Sequence, residues 1–464
     1  MFINIKDKRS FIIPLLLLSP VFLNYLSNLI SKLRSDYILV INYYELISFV
    51  LLIFWFLNIG YLVSNSLSLN SKSLGIVIFL MSFFSLDNLF LFISKNYFFH
   101  NVFLFTSFLW FIFFIYKKEL FFTATLFLLS SFQYWYNDKN IGKFKINENF
   151  KGDVEVQWYP MVRNIYESSY FNSLINPYLE GYGQMISYFQ ALVFKISFNL
   201  TDYSYFQSTT RIFFILSIVF FLELNISKYL RVLSSLFFIT LITNSEFLKY
   251  LFADSLMGEA VVSYIFFVLL FKILSSEELS ERNKYLIFFS FGFLFLSKQF
   301  ISTLSLLVCL FLFFNKKYKK YSLFGLIPFF LNYINYTFLI KGLERDPYLS
   351  QIDLKDTLFD LLLLRDLNLN NIGLIIKNIY KDKPFTYLIL LLIFVTVYNY
   401  FKKNKLSIEN KVYFFTILLN FIFIFLLYVS AWRNMELESP IRFILNLLHI
   451  KIAFLFQQLE KIET

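Results

Sequence analysis

Two carboxylates one residue apart mark the longest polar stretch of the chain, residues 136–184. Asp153 follows Gly152, and Glu155 precedes the segment 157–160, which reads Gln-Trp-Tyr-Pro. A carboxylate that is held in place can act as a general base on a hydroxyl group if its pKa suits the task. The simpler interpretation is that both residues are solvated loop acids.

More ionisable residues stand at the edge or in the interior of apolar runs. Asp254 and Glu259 open the run 258–274, and Lys298 interrupts the run 285–314. Asp254 can cap a helix N-terminus or contribute to a polar site. Glu259 lies one turn farther along, where a charge is costly and is commonly functional or paired. Lys298 can hold a phosphate as a point charge, or its ammonium can extend to a membrane surface.

A third polar segment, residues 431–443, carries Arg433, Glu438 and Arg442 next to an apolar run. Pro440 in the same segment is suited to the first turn of a helix. The arginine fork binds phosphate through paired, charge-assisted hydrogen bonds. The alternative interpretation is an arginine–glutamate pair that anchors a turn at a membrane interface.

The composition of the chain indicates the environment of these residues. Of 464 residues, 58% are apolar, 22% are aromatic and 16% are charged, and the mean hydropathy is +0.63. Soluble globular chains carry about 25% charged residues, so this chain cannot cover itself with a polar surface. Runs close to the roughly 20 residues of a membrane-spanning helix recur throughout, among them 99–116, 384–401 and 443–457, and runs this long favour helices over strands. We therefore predict an all-α polytopic membrane protein with about 14 transmembrane helices.

The apolar runs and the polar loops divide the chain into five predicted segments. Short amphipathic helices are expected in the outside loops. The segments are N-terminal transmembrane helices (1–135), a first large non-cytoplasmic loop with juxtamembrane helices (136–208), a central transmembrane bundle (209–340), a second non-cytoplasmic loop (341–383) and C-terminal transmembrane helices (384–464).

Basic residues orient these segments, because lysine and arginine collect in cytoplasmic loops. The rule places both termini in the cytoplasm and loops 136–184 and 341–383 outside, together with 432–442. This assignment requires 285–314 to be a helical hairpin that turns at Lys298. The clusters that fix it are Lys72, Lys117-Lys118, Lys228 with Arg231, Arg282 with Lys284, Lys316 to Lys320, and Lys402 to Lys405.

The composition also argues against other classes of site. The net charge of +11 is explained by the lysines and arginines of the predicted cytoplasmic loops, so no nucleic-acid partner is expected. Only two histidines occur, His100 and His449, and neither has a second metal ligand three or four residues away, which argues against a histidine-based metal site. The single Cys309 allows no internal disulfide. No cofactor is indicated, although the acids leave a divalent metal open.

The polar pattern resembles the glycosyltransferase C superfamily, polytopic enzymes that use lipid-phosphate-linked sugars. The resemblance covers about 150–300 and 431–443. It departs from the family in that about five spans precede the first large loop, and Phe443 stands where a tyrosine is usual. The matching residues are Asp153-Val154-Glu155, Tyr159, Ile165-Tyr166-Glu167, Asn176-Pro177, Gln184–Phe198, Arg211 and the Glu-Ser-x-x-Arg arrangement ending at Arg442.

The resemblance implies an inverting transfer of a sugar from a polyprenyl-phosphate donor to a glycan, lipid or protein acceptor. Asp153, or Glu155 in second place, would be the base. Substrate-binding roles would fall to Asp254, Glu259, Lys298, Arg433, Glu438 and Arg442. The expected location is the outer face of a bacterial cytoplasmic membrane. The alternatives are an O-antigen or exopolysaccharide polymerase, and a transporter or flippase of lipid-linked sugars.

Overall fold

The computed structural model describes a large part of the chain as helices. The described residues are 43–94, 98–121, 123–125, 127–129, 131, 162, 165, 185–196, 202–245, 248, 259–275, 279–297, 299–340, 373, 376–377, 380, 383–401, 408–429 and 447–463. Within these ranges no strand occurs, which confirms the helical class. Two helices, Lys72–Phe90 and Lys383–Phe401, are long and apolar enough to cross a membrane. The count of 14 spans stays a prediction.

The chain divides into two compact units, of which the first comprises 1–174, 184–212 and 256–258. Its described helices are α1 (Tyr43–Ser66), α2 (Lys72–Ser94), α3 (Phe99–Tyr116), α4 (Met185–Ile196) and the first half of α5 (Asp202–Phe221).

Aromatic rings build the core of the first unit. Tyr188 of α4 is fully buried, and its ring centroid lies 4.9 Å from that of Phe83, 5.0 Å from Phe84 and 5.1 Å from Phe99. Edge-to-face and tilted ring pairs of this kind contribute beyond their buried area. The abundance of phenylalanine therefore serves packing in this unit, as the apolar runs of the sequence suggest.

The second unit comprises 175–183, 213–255 and 259–464. Its described helices are the second half of α5, α6 (Lys228–Asn244), α7 (Glu259–Leu274), α8 (Glu281–Gly292), α9 (Gln299–Phe313), α10 (Lys319–Ile340), α11 (Lys383–Phe401), α12 (Ile408–Val429) and α13 (Leu448–Glu463). A short 3-10 helix, Phe293–Leu296, follows α8 directly.

The apolar run 285–314 is interrupted where the sequence predicts. Helix α8 and its 3-10 extension end at Leu296, and α9 begins at Gln299. Helix α8 runs parallel to α10, because Glu281 pairs with Lys320 at one end and the Phe295 and Phe329 rings lie 4.8 Å apart at the other. Helix α9 runs antiparallel to α10, since only residues 314–318 connect them. Helices α8 and α9 therefore form the predicted hairpin.

Glycines allow the helix backbones of this hairpin to approach α10 closely. A Cβ added at Gly292 would lie 2.1 Å from the Gly325 carbonyl oxygen, and one at Gly325 would lie 2.9 Å from the Phe288 oxygen. Small residues permit such close helix contacts in membrane proteins.

We expect Gly292→Ala to lower the stability of the second unit by about 1–3 kcal/mol, because the new methyl group meets backbone rather than a movable side chain. Thermal unfolding of the purified protein measures the effect. Gly373→Ala is the matched control, since a Cβ there meets nothing within 4 Å. Equal unfolding temperatures for the two variants would show that the α8–α10 contact is not tight.

Several helices present apolar side chains outward along one face. On α11 the exposed residues recur at helical spacing, and Phe394 is 67% exposed in the middle of the helix. The exposed apolar side chains of α11 include Tyr387, Leu390, Ile393, Phe394, Val397 and Phe401, and those of α10 include Leu323, Ile327, Phe330, Leu331 and Ile334. Contiguous exposed apolar faces of this kind mark contact with lipid or another protein.

Candidate functional site

The structure describes helices next to several of the predicted site residues, but not the side chains of those residues. Glu259 is the first residue of α7, and its side chain is outside the described residues. The other seven predicted site residues also lie outside them: Asp153, Glu155, Asp254, Lys298, Arg433, Glu438 and Arg442. In the second unit, the ends of several described helices lie next to some of these positions in the sequence.

One end of the second unit is defined by contacts between α7, α8 and α10. The Tyr318 hydroxyl donates to the Leu274 carbonyl oxygen at 3.1 Å, and the Lys320 ammonium lies 2.7 Å from a Glu281 carboxylate oxygen. The last turn of α7 and the first turns of α8 and α10 thus meet here. We call this the basic end, because lysines surround it.

The other end of the same helices carries positions that the sequence assigns to the site. Helix α7 has 16 residues, so Glu259 is about 22 Å along the helix from Leu274 at the basic end. The break between Ser297 and Gln299, where Lys298 stands in the sequence, is likewise at the far end of α8 from Glu281. We call this the opposite end.

Helix α13 shares this orientation. His449 in its first turn contacts Ser263 near the start of α7, with 2.9 Å between the imidazole Nδ1 and the hydroxyl oxygen. In its last turns, Glu460 accepts a hydrogen bond from the Ser227 N–H at 2.8 Å. Helix α13, whose first residue Leu448 is six residues after Arg442 in the sequence, therefore runs in the same direction as α7, with its first turn level with Ser263.

His449 is the centre of a buried polar network that sequence reasoning missed. Its side chain is fully buried, and its Nε2 lies 2.7 Å from the Ser217 hydroxyl oxygen. Because the Ser217 hydroxyl donates to the Phe213 carbonyl at 2.6 Å, the imidazole Nε2–H donates to Ser217. A neutral ring then accepts through Nδ1 from Ser263. The imidazole bridges α5, α7 and α13.

Two further polar contacts connect α13 to its neighbours. The fully buried Lys451 donates to the Asn420 side-chain oxygen of α12 at 3.2 Å, and its ammonium lies 5.3 Å from the Phe385 ring centroid. Asn399 of α11 donates to the Gln458 side-chain oxygen at 3.0 Å. Ionisable groups inside apolar helices are functional or paired. Here they fix the helix that follows the segment 431–443.

The sequence contained a signal for this network. His449 and Lys451 are two ionisable residues within the predicted span 443–457, and such residues commonly face the interior of a bundle. The absence of a second metal ligand near His449 argues against a metal role and carries no information on the hydrogen bonds of the imidazole. Among the described residues no group of three or more potential metal ligands occurs.

We expect Ser217→Ala to destabilise the second unit by about 1–3 kcal/mol, because it leaves the buried imidazole N–H without its acceptor. Thermal unfolding in detergent measures the loss. Ser275→Ala is the control, since that half-buried hydroxyl donates to the Phe271 carbonyl one turn earlier in the chain. If both variants unfold alike, the His449 bridge does not stabilise the fold.

The first unit has a buried acid of its own. Asp87 of α2 is fully buried and accepts a hydrogen bond from the Phe98 N–H at 3.1 Å. The side chain thus connects α2 to the residue before α3, which indicates a role in assembling this unit.

Comparison of the chain with protein-family models, with curated proteins and with solved structures finds no match.

Proposed function

We propose that the chain is a multi-pass membrane glycosyltransferase. It transfers a sugar from a polyprenyl-phosphate donor to an acceptor at the non-cytoplasmic face, with inversion at the anomeric carbon. The observation that carries the proposal is the arrangement Asp153-x-Glu155 in a large polar loop, combined with Arg442 at the mouth of a late apolar run. It supplies a base and a phosphate-binding cation.

The described helices support the membrane part of the proposal. Helices α10 and α11 expose apolar side chains along one face, whereas the polar side chains His449, Lys451 and Asn399 are buried inside the bundle. This inversion of the usual arrangement suits a lipid environment, where buried polar groups bind one another and apolar groups face outward.

The order of the helix ends supports placing several polar positions at one membrane face. Glu259 and the break before Gln299 lie at the opposite end of the second unit, and α13, which follows Arg442 in the sequence, runs in the same direction as α7. The lysine-rich loops adjoin the basic end. Since basic loops face the cytoplasm, the opposite end is assigned to the non-cytoplasmic side.

The proposed reaction is a single displacement. The acceptor oxygen attacks the anomeric carbon, its proton passes to the Asp153 carboxylate, and the bond between the anomeric carbon and the phosphate oxygen breaks. The bond electrons leave with polyprenyl phosphate. Lys298, Arg433 and Arg442 stabilise the developing negative charge on that phosphate. Asp254, Glu259 and Glu438 belong to the substrate-binding group.

The test is an assay of the purified chain in proteoliposomes with a panel of polyprenyl-phosphate sugars and candidate acceptors. We expect release of free polyprenyl phosphate from one donor, together with a glycosylated acceptor of inverted anomeric configuration. Movement of an intact donor between leaflets without cleavage would favour a flippase instead. Elongation of a lipid-linked glycan by whole repeat units would favour a polymerase.

Sidedness can be tested separately in a Cys309→Ala background, because Cys309 is the only native thiol. Phe150→Cys should react with a membrane-impermeant maleimide in intact cells. Lys316→Cys, at an exposed position of the basic end, should react only after the membrane is permeabilised. The reverse pattern would contradict the proposed orientation.

A further inference from the structure

The basic end of the second unit carries a dense positive surface. The loop between α7 and α8 meets the loop between α9 and α10 at this end. Among the described residues on or next to these two loops, seven are basic and one, Glu281, is acidic. The basic residues are Lys272, Arg282, Lys284, Lys316, Lys317, Lys319 and Lys320. In the sequence, Glu277 and Glu278 also precede α8, and they lie outside the described residues.

The acid is already engaged with its neighbours. The Glu281 carboxylate lies 2.7 Å from the Lys320 ammonium and 3.7 Å from that of Lys284, and it accepts from the Tyr321 hydroxyl at 2.5 Å. The hydrogen bond from Lys320 lowers the pKa of Glu281, so the group stays ionised. Its charge is therefore directed at Lys320 and Lys284, and the exposed Lys316 and Lys319 carry further positive charge.

The loop between α9 and α10 is held in a defined shape. Tyr318 is fully buried while its hydroxyl binds Leu274, and the Asn315 side-chain oxygen accepts from the Lys317 N–H at 2.9 Å. The Lys319 ammonium lies 5.3 Å from the Phe313 ring centroid, and that of Lys317 lies 5.2 Å from the Tyr318 ring centroid. The charges are thus positioned by a fixed aromatic platform.

Apolar side chains continue from this platform along the same two helices. Phe314 is 84% exposed at the end of α9, and Leu310, Leu323 and Ile327 are also exposed within a few turns of the lysines. A lipid molecule offers the complementary arrangement, with acyl chains beside apolar helix faces and a phosphate at the level of the helix ends. A free anion would use the charges and leave the apolar faces without a role.

We infer that the basic end binds the phosphate headgroups of anionic membrane lipids through Lys316, Lys317 and Lys319. The inference depends on the chain being embedded in a membrane and not on sugar transfer, so the two can fail separately. Each lysine near an anionic surface is expected to change affinity by roughly fivefold at moderate salt.

The experiment compares lipid retention by the purified full chain in detergent micelles doped with phosphatidylglycerol or with phosphatidylcholine of identical acyl chains. Native mass spectrometry counts the bound lipids. We expect the chain to retain phosphatidylglycerol selectively, and K316Q/K317Q/K319Q to weaken that binding by about a hundredfold. The double variant K316Q/K319Q should weaken the binding by about 25-fold. It replaces the triple variant in the comparison if the triple variant unfolds at a lower temperature than the parent chain.

The matched control is K139Q/K143Q/K145Q, which removes the same charge from the polar stretch 136–184, predicted on the other membrane face. It should retain the selectivity. An equal loss in the control, or no preference for phosphatidylglycerol in the parent chain, would overturn the inference. Displacement of the lipid by inorganic phosphate at equal concentration would also overturn it, since the site would then recognise a free anion.

Discussion

Replacing Asp153 with asparagine should reduce the rate of sugar transfer by about 10²–10⁴-fold, the usual loss when a general base is removed. The substitution keeps the size and polarity of the side chain and removes its ability to take the acceptor proton. Because the residue belongs to a polar loop, the variant should still insert and unfold at the parent temperature. Initial rates with a fixed donor and acceptor give the comparison.

Two variants sharpen this prediction. Asp138→Asn makes the same change in the same polar stretch, outside the Asp153-x-Glu155 motif, and should leave the rate within about threefold of the parent if the loss is a specific base effect. Glu155→Gln should cost less than Asp153→Asn. A larger loss for Glu155→Gln would show that Glu155 is the base. Equal activity of all three variants would show that neither acid of the motif is the base.

Replacing Arg442 with alanine should lower kcat/KM for the donor by about 10²–10³-fold, as expected when a group that stabilises developing negative charge is removed. Arg442→Lys should be intermediate, because lysine keeps the charge and loses the paired hydrogen bonds of the fork. The adjoining apolar run is unchanged, so membrane insertion should persist. Steady-state kinetics at varied donor concentration measures the effect.

The control for this variant is Arg34→Ala, because Arg34 follows the first apolar run, in a loop that the same count of spans places outside, and it lies outside the site segments. It should leave kcat/KM for the donor unchanged. If Arg442→Ala behaves like Arg34→Ala, the phosphate is held by other residues and the assignment of the segment 431–443 is wrong.

The sequence predicted the helices best where charged or polar residues bracket an apolar run. The predicted span 99–116 coincides with α3, and the predicted span 384–401 differs from α11 by one residue. The break between Leu296 and Gln299 was also predicted, because an apolar helix does not readily accommodate a central lysine.

Tertiary contacts explain where helix bounds were missed. The predicted span 443–457 ends six residues before α13 does, since hydropathy treats Gln458 as a boundary residue. In the structure Gln458 is buried and bound to Asn399. A local pattern cannot show which polar side chain will meet a partner from a helix about 60 residues away in the sequence.

The functional residues depend on tertiary contacts in the same way. Local sequence identifies His449 as an isolated histidine, whereas its bridge between Ser217 and Ser263 exists only after three distant segments pack together. The site residues Asp153 and Arg442 are predicted from their chemistry and their resemblance to a family pattern, and they lie outside the described residues.

The central claim is that sugar transfer takes place at the non-cytoplasmic face, and donor confined to one leaflet tests it most directly. Proteoliposomes of known protein orientation are loaded with a polyprenyl-phosphate sugar in either the leaflet next to residues 136–184 or the leaflet next to the basic end. Release of polyprenyl phosphate should occur only from the leaflet next to residues 136–184, and Asp153→Asn should abolish most of it. Release from the leaflet at the basic end, or release that is insensitive to Asp153→Asn, would contradict the claim.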